Sequence, residues 1–503
     1  MESTGHVFVM HGDLLRLNCS EVLVPTDCDR RVERYWEQWA FAPEDLPAWS
    51  DEAERVTESV LIKDQLVRYV AVGTTEDRAD TEWLGRGVRA GLAACVQDAH
   101  ASHQWPSLVN RDKWLVAIPL FGTRAGGFDA VRGEALETVL TEASVAAKQG
   151  IDVAIVCRER SAYAAMQARR HQTSWPTLKE VQRQEAVSLG KEAKEGSLAI
   201  FLGAGVSLAA GLPIWRDLIE QAASPALRSD PTFKDSLTGD LPLAASRVRD
   251  SLRDPEEFIK AIRVQLPDER HAVAHGLIAS MRIDEAVTTN FDKLFELAAK
   301  VPFGDELSVL PWKRQPGRPP WLLKLHGDIE SGDLIITSED YRELARHPGV
   351  LGSVVQSLLV TRHLVFVGYS LRDADFVELA TGVADALERS GASHRRIGTV
   401  LGLAPSTPGE NALADMQFVN IGDDDPAESS ADARMLEIFL DQMAWKAAEG
   451  ESSWVLDERY AQLLDGPDEK KLADDLRRLH VPKGERWERL TQLLADYGIQ
   501  GVG

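Results

Sequence analysis

Short continuous apolar runs punctuate this chain, separated by longer stretches in which apolar residues recur every three or four positions. The first pattern predicts buried strands and the second predicts helices packed on one face. In the first third, runs at 6–10, 21–24, 66–72, 114–119 and 152–157 read as strands, with helices at 81–99 and 130–148. That alternation predicts an α/β domain over residues 1–170. His171-Gln-Thr-Ser-Trp-Pro176 is a turn. Thr177-Leu-Lys-Glu180 then forms a capping box that opens a polar helix to Lys194, so 171–194 reads as a helical linker. As a charged helix it is either a solvated spacer or a carrier of movement between its neighbours.

A second α/β pattern fills residues 195–446, with strands at 198–202, 285–289, 321–325, 363–367, 398–403 and 416–421. Helical periodicity appears at 255–262 and 271–281. The last segment, 447–503, carries amphipathic helices at 454–464, 469–479 and 485–496, the third with Leu490, Leu493 and Leu494 on one side. It reads as a helical cap or oligomerisation element, or as a docking module for a partner; a homo-oligomer is the expected assembly.

Composition narrows the class. At 503 residues the length prior is about three domains. A formal charge of −23 argues against a broad footprint for nucleic acid or anionic membrane. No apolar run approaches a membrane span and no signal-peptide pattern opens the chain, so a cytoplasmic location is expected. The four cysteines, Cys19, Cys28, Cys95 and Cys157, lie in the first third without a Cys-x-x-Cys, which suits reduced thiols better than a zinc site.

The candidate chemistry gathers at strand ends. The run Leu198–Leu202 passes into Gly203-Ala204-Gly205-Val206-Ser207, a turn and helix start suited to a pyrophosphate. A tight turn with no ligand is the other reading. The strand at 285–289 delivers Asn290 and Asp292, the strand at 321–325 delivers His326-Gly327, and the strand at 363–367 delivers Gly368-Tyr369-Ser370, with Asp373 and Asp375 beyond. Open parallel sheets collect ligands at such carboxyl ends. Asn290 can orient a water or hold a ribose hydroxyl, His326 can act as a general base, and Asp292, Ser207 and Ser370 can bind ribose, amide or phosphate. Taken singly, Asn290 also suits a helix cap, His326 a core histidine, and Asp373 a turn. Arg216 either neutralises phosphate or belongs to the surface.

These motifs, in this order over about 250 residues, resemble the sirtuin family: Gly203-Ala-Gly-Val-Ser207 with Gly211-Leu-Pro213, Thr289-Asn290-Phe-Asp292, Leu325-His326-Gly327 and Gly368-Tyr-Ser370-Leu. The resemblance implies a Rossmann-like sheet that binds NAD+ and breaks its nicotinamide–ribose bond. It assigns Asn290 and His326 the catalytic positions and Gly203, Ala204, Gly205 and Ser207 the phosphates. Asp292 falls to the nicotinamide side, and Gly368 and Ser370 to the adenosine side. Arg216 and Asp373 join the cofactor-binding set. Protein-deacylating sirtuins carry a four-cysteine zinc module after the histidine motif, but residues 195–446 contain no cysteine. Only 330–352 occupies that place, with a strand expected at 333–337 and a turn of helix at 341–347. With little room for an acyl-lysine clamp, water becomes the expected nucleophile and no metal is expected. The pattern is then similar to zinc-less sirtuin-like NADases of bacterial antiphage defence, including the Thoeris effectors.

The first domain loosely resembles a macrodomain, a fold that binds ADP-ribose. The matching parts are Gly12-Asp13-Leu14 before a buried strand and the loop containing Phe121-Gly122-Thr123 and Gly126-Gly127. Where macrodomains place an asparagine-bearing loop, this chain has Pro25-Thr26-Asp27. Asp27 can meet a ribose hydroxyl or adenine amine but repels phosphate. Asp27, Gly122, Thr123, Gly126 and Gly127 are therefore the candidate regulatory-nucleotide residues; the alternative is a nucleotide-domain shape used for protein contact.

The expected function is NAD+ glycohydrolysis to nicotinamide and ADP-ribose, in an effector that depletes NAD+ during infection. Its trigger would be an ADP-ribose-derived nucleotide, a phage component or a partner protein. The alternatives are a zinc-independent NAD-dependent deacylase or ADP-ribosyltransferase, and a non-catalytic NAD or ADP-ribose sensor.

Overall fold

A computed structural model describes residues 4–36, 46–51, 55–73, 81–101, 111–123, 127–252, 254–317, 319–346, 350–369, 374–391, 397–403, 416–422, 429–482 and 484–499. The chain divides into two compact units, one built from 1–109, 113–176 and 448–503, the other from 110–112 and 177–447.

In the first unit, β1 (Val7–His11), β2 (Glu21–Thr26), β3 (Trp49–Asp51), β4 (Val56–Thr57), β5 (Val60–Ile62), β6 (Gln65–Ala71), β7 (Leu115–Pro119) and β8 (Asp152–Cys157) form one sheet. Its order is β1-β8-β7-β2-β6-β4-β3, with β5 also paired to β6. The five long strands run parallel and the three short ones antiparallel. β8 is buried at all six positions, the signature of a strand covered on both faces. Helices Thr81–Ala101 and Arg132–Lys148 supply the expected cover. The short strands and helix Arg160–Ala168 are not apparent from the apolar pattern.

The C-terminal segment belongs to this first unit. Trp454, Leu456, Tyr460, Leu463, Leu464 and Leu494 enter the same core as β7 and β8. The helix expected at 454–464 does not form as an α-helix; only a 3₁₀ turn, Glu458–Leu463, is present. The Asp457 carboxylate holds it by accepting from Arg459 N at 3.0 Å, and such local side-chain bonds compete with a regular helix. The last helix, Glu488–Asp496, buries Leu494 but leaves Leu493 52% exposed, so the two do not share a side.

The second unit holds β9 (Leu198–Leu202), β10 (Glu285–Thr288), β11 (Ser308–Leu310), β12 (Trp321–Lys324), β13 (His363–Val367), β14 (Gly398–Gly402) and β15 (Met416–Asn420). They form a sheet in the order β11-β12-β10-β9-β13-β14-β15, parallel throughout. From β9 the chain winds out to one edge, then returns and winds to the other. The carboxyl ends of β9 and β13 therefore flank a topological switch point, where open α/β sheets bind ligands.

Helix Glu180–Lys194, read from sequence as a linker, packs into this unit. Ala186, Leu189 and Gly190 are buried against helix Ser429–Ala447. A Cβ on Gly190 would lie 2.5 Å from Met443 O, so glycine permits that approach. The helix also begins later than the capping box predicts: Lys179 is its N-cap, and Gln182 Oε1 accepts from Lys179 N at 2.8 Å.

Between β9 and β10 lies a helical module that the sequence pattern understates. Helices Pro225–Arg228, Pro231–Gly239, Leu241–Ser251 and Pro255–Arg263 each start on a Ser or Asp cap followed within two residues by proline. They share a core of Leu218, Ile219, Phe233, Leu237, Val248 and Ile262, closed by Ile329, Leu334 and Ile336 from the segment after His326. The expectation of little room for an acyl-lysine clamp concerned 330–352 alone, and this module lies beside that segment. The module comes from residues before β10, not from an insertion after β12. Within that later segment the strand expected at 333–337 reduces to a single bridge, Gly327 to Leu334. Asp340 Oδ2 takes the bonds a ladder would use, accepting from Ile336 N at 3.2 Å and Thr337 N at 2.8 Å. A helix, Ser338–Arg346, follows.

Candidate active site at the switch point

Two loops interlock where β9 and β13 end. Gly203 N donates to Val367 O at 2.9 Å and Gly205 N to Gly368 O at 2.9 Å. A Cβ on Gly203 would lie 2.5 Å from Gly368 O, and one on Gly205 would lie 2.8 Å from it. The first role of these glycines is therefore backbone against backbone. The helix expected near Val206 is a 3₁₀ helix, Ala204–Ala210, with Gly203 extended before it and Gly211 left-handed after it. Ala204 opens this turn, half-buried, and Ser207 lies buried within it.

Asn290 is joined to that turn. Its Nδ2 donates to Gly203 O at 3.1 Å and lies 3.4 Å from Ser207 Oγ, while its backbone N donates to Thr288 Oγ1 at 3.0 Å. Ser207 Oγ donates to Asp292 Oδ2 at 3.0 Å. Asp292 Oδ1 accepts from Leu294 N at 3.0 Å, so Asp292, not Asn290, ties the start of helix Leu294–Phe303. Burial raises the Asp292 carboxyl above the usual carboxylate range, against the opposing pull of Leu294 N–H and Lys324. Gly203, Ser207, Asn290 and Asp292 are thereby assembled in one hydrogen-bonded group.

His275 backs this group without having been singled out in the sequence. It is 1% exposed, and its Nε2 lies 3.4 Å from Ser207 Oγ. Burial, with His271 nearby, lowers its pKa to about 3, so it is neutral. The available signal was a histidine inside the apolar stretch Val273–Ser280, a helix buried at every position.

His326 follows β12 and is 6% exposed. Its Nδ1 lies 3.4 Å from Tyr341 Oη, and the two rings meet edge-on at 5.5 Å. Tyr341 in turn lies 6.1 Å, ring to ring, from Trp215. Gly327 turns the chain with a φ of +99°, and a Cβ there would lie 1.7 Å from Asp333 O. Arg216 sits exposed in the first turn of helix Trp215–Ala222, and none of its bonds joins it to the Asn290 group. Gly368 is at the interlock; Ser370 and Asp373 lie outside the described residues.

Lys324, the last residue of β12, is also absent from the sequence-based set. Its side chain is fully buried, and Nζ donates to Asp328 Oδ2 at 2.6 Å, to Asp292 O at 2.6 Å and to Glu296 Oε1 at 3.1 Å. A lone lysine in the apolar run Trp321-Leu-Leu-Lys-Leu325 was the available signal.

The first unit has its own cleft at the carboxyl ends of its parallel strands. Gly12, Tyr35, Gly122, Thr123, Arg132 and Arg158 line it. Arg132 Nη2 donates to Thr123 O at 3.0 Å, anchoring the glycine loop, and the Arg158 guanidinium lies 4.7 Å from the Tyr35 ring centre. Tyr35 donates to Asp13. Asp27 is turned to its own loop, accepting from Asp29 N at 2.9 Å and Arg31 N at 2.8 Å. Gly127 ends the glycine loop with a φ of +86°; Gly126 lies outside the described residues.

Among the described residues no helix is long and apolar enough to cross a membrane, and no three His, Cys, Asp or Glu side chains gather as a metal site. Known proteins are similar to part of this chain. The NAD(+) hydrolase ThsA of Cytobacillus dafuensis is 27% identical over 220 residues, 41% of each chain. ThsA of Bacillus cereus (strain MSX-D12) is 27% identical over 221 residues, 41% of this chain and 43% of that one. Defense-associated sirtuin 2 of Bacillus subtilis is 23% identical over 192 residues, 36% of this chain and 19% of its own. The chain thus spans less than half the length of these relatives. Residues 284–419, from β10 to β15, match the SIR2-like domain family, the family to which the Asn290 and His326 motifs pointed.

Proposed function

We propose that the second unit is an NAD+ glycohydrolase. The observation that carries the reading is the hydrogen-bonded group Gly203–Asn290–Ser207–Asp292 at the switch point of a parallel sheet. In this reading the interlocked turn and Ser207 face the pyrophosphate, with Arg216 as its counter-charge. Asp292 lies on the nicotinamide side and Gly368 on the adenosine side, with Ser370 assigned to the adenosine side and Asp373 to the cofactor-binding set by the sequence motifs alone. The bond from C1′ to the nicotinamide nitrogen breaks, and its electron pair leaves with the ring and cancels the ring's positive charge. Water oxygen bonds to C1′, and its proton passes to His326 and then to solvent, giving nicotinamide, ADP-ribose and one proton. Asn290 Nδ2 is held by Gly203 O, so its amide oxygen is the arm that accepts from the attacking water. Buried His326 is oriented through Tyr341, which suits a base whose geometry must be fixed.

The relatives' names, NAD(+) hydrolase and defense-associated sirtuin, support a role in antiphage NAD+ depletion. The first-unit cleft is proposed as the sensor for an ADP-ribose-type nucleotide. Arg158 offers the positive charge that Asp27 lacks, Arg132 is already paired with Asp129 and Glu159 and shapes the loop, and Gly12, Gly122 and Thr123 offer close backbone approach.

The test is nicotinamide release from NAD+ by the purified full chain. Asn290→Ala and His326→Ala should each lower the rate by about 10²-fold or more while remaining folded. Wild-type turnover in both variants would contradict the assignment.

A further inference from the structure

We propose that Lys324 is a positioning residue of this reaction, its ammonium pinning the loop that carries Asn290 to the loop that carries His326. The inference rests on the hydrolase reading of the site. Nζ reaches the carbonyls of Phe291 at 3.2 Å and Asp292 at 2.6 Å, the two residues that follow Asn290. It also reaches Asp328 Oδ2 at 2.6 Å, two residues beyond His326, and Glu296 Oε1 at 3.1 Å on the helix behind. Asp328 Oδ1 then accepts from Glu330 N at 2.7 Å and closes the turn after the histidine.

An ammonium has three N–H donors, and here four oxygens surround it. Its side chain is 0% exposed, so no water replaces an oxygen that moves away. A buried charge costs several kcal/mol unless its shell is complete. Shifting either loop would strip an oxygen from that charge, so the spacing of the two loops is held by electrostatics as well as by packing. Burial pulls the Lys324 pKa down, but Glu296 and Asp328 outweigh it and keep the ammonium charged. Burial pushes the Asp328 carboxyl up, but Lys324 more than offsets that push and holds it below its ordinary value. Lys324 contacts backbone and carboxylates behind the catalytic pair, so its effect on the chemistry passes through Asn290 and His326.

A ratio of products separates positioning from a loss of folded protein. In a water–methanol mixture, water at C1′ gives ADP-ribose, and methanol gives its 1′-O-methyl derivative with loss of the alcohol proton. That ratio does not depend on how much enzyme is active. A site that holds water in line selects against methanol, and displacement by about 1 Å costs roughly 10²-fold in rate. Lys324→Met is expected to lower kcat by about that factor and to leave KM for NAD+ within about threefold. It should also raise the methyl product's share. Should that variant not fold, Asp328→Asn is read in the same way and should shift the ratio in the same direction. An unchanged product ratio in the folded variant, beside an active wild type, overturns the Lys324 role alone. A wild type that releases no nicotinamide, alone or with an ADP-ribose-type nucleotide added, overturns the hydrolase reading itself, and the role of Lys324 with it.

Discussion

Gly368 occupies the space a side chain on Gly203 would need, and the Gly205–Val206 backbone that follows Gly203 occupies the space one on Gly368 would need. A Cβ on Gly203 would lie 2.5 Å from Gly368 O, and a Cβ on Gly368 would lie 2.4 Å from Val206 N, at a φ of +63° that already disfavours other residues. The glycines that would cradle a phosphate also fasten β9 to β13. Overpacking costs about 1–3 kcal/mol, and a left-handed conformation adds to it. Gly368→Ala should therefore destabilise the second unit by about 3 kcal/mol, read as faster hydrogen exchange at β9 and β13. Unchanged exchange there would mean that the interlock does not hold the sheet.

Neutral His275 behind Ser207 gives stability a pH dependence. Its pKa falls from an ordinary 6.5 to about 3 in the folded chain, so the unfolded chain binds the extra proton between those values. Stability from this group is present above pH 6.5 and is lost as pH falls toward 3, at up to about 1.4 kcal/mol per unit. The raised Asp292 carboxyl works in the opposite sense, favouring the folded chain as pH falls. His275→Gln should flatten urea stability between pH 6.5 and 4.5 by roughly one proton. Parallel curves for the two proteins would contradict a neutral, buried His275.

Tyr460 makes the C-terminal segment part of the first unit's core. It is 0% exposed and clusters with Leu136, Val139 and Tyr163. Truncating a large buried aromatic costs about 3–5 kcal/mol. Tyr460→Ala should therefore speed hydrogen exchange at β7 and β8, in a different stretch of sequence. Unaltered exchange in those strands would show the segment to be dispensable to that core.

The sequence made the parallel sheets legible because a strand covered on both faces must be apolar at nearly every position, as Leu198–Leu202 is. It also made Asn290 and His326 legible, because each stands at the end of such a run. Short polar helices such as Pro231–Gly239 were not legible: their apolar residues are too few to show a period, although Ser224-Pro225 and Asp230-Pro231 mark their starts. The 454–464 segment misled in the other direction, since its apolar spacing serves a 3₁₀ turn fixed by Asp457. Lys324 and His275 were hidden by burial itself, because hydrophobic patterning does not indicate which polar side chain sits inside a core or what it holds.

The central claim is that water, and not an acyl-lysine, receives the ribosyl group. The most direct measurement incubates the full chain with NAD+ and an acetyl-lysine peptide and quantifies nicotinamide, ADP-ribose and deacetylated peptide together. The account predicts nicotinamide and ADP-ribose in equal amounts with the peptide intact, and loss of both products in Asn290→Ala and His326→Ala. Nicotinamide release that keeps step with peptide deacetylation would contradict it.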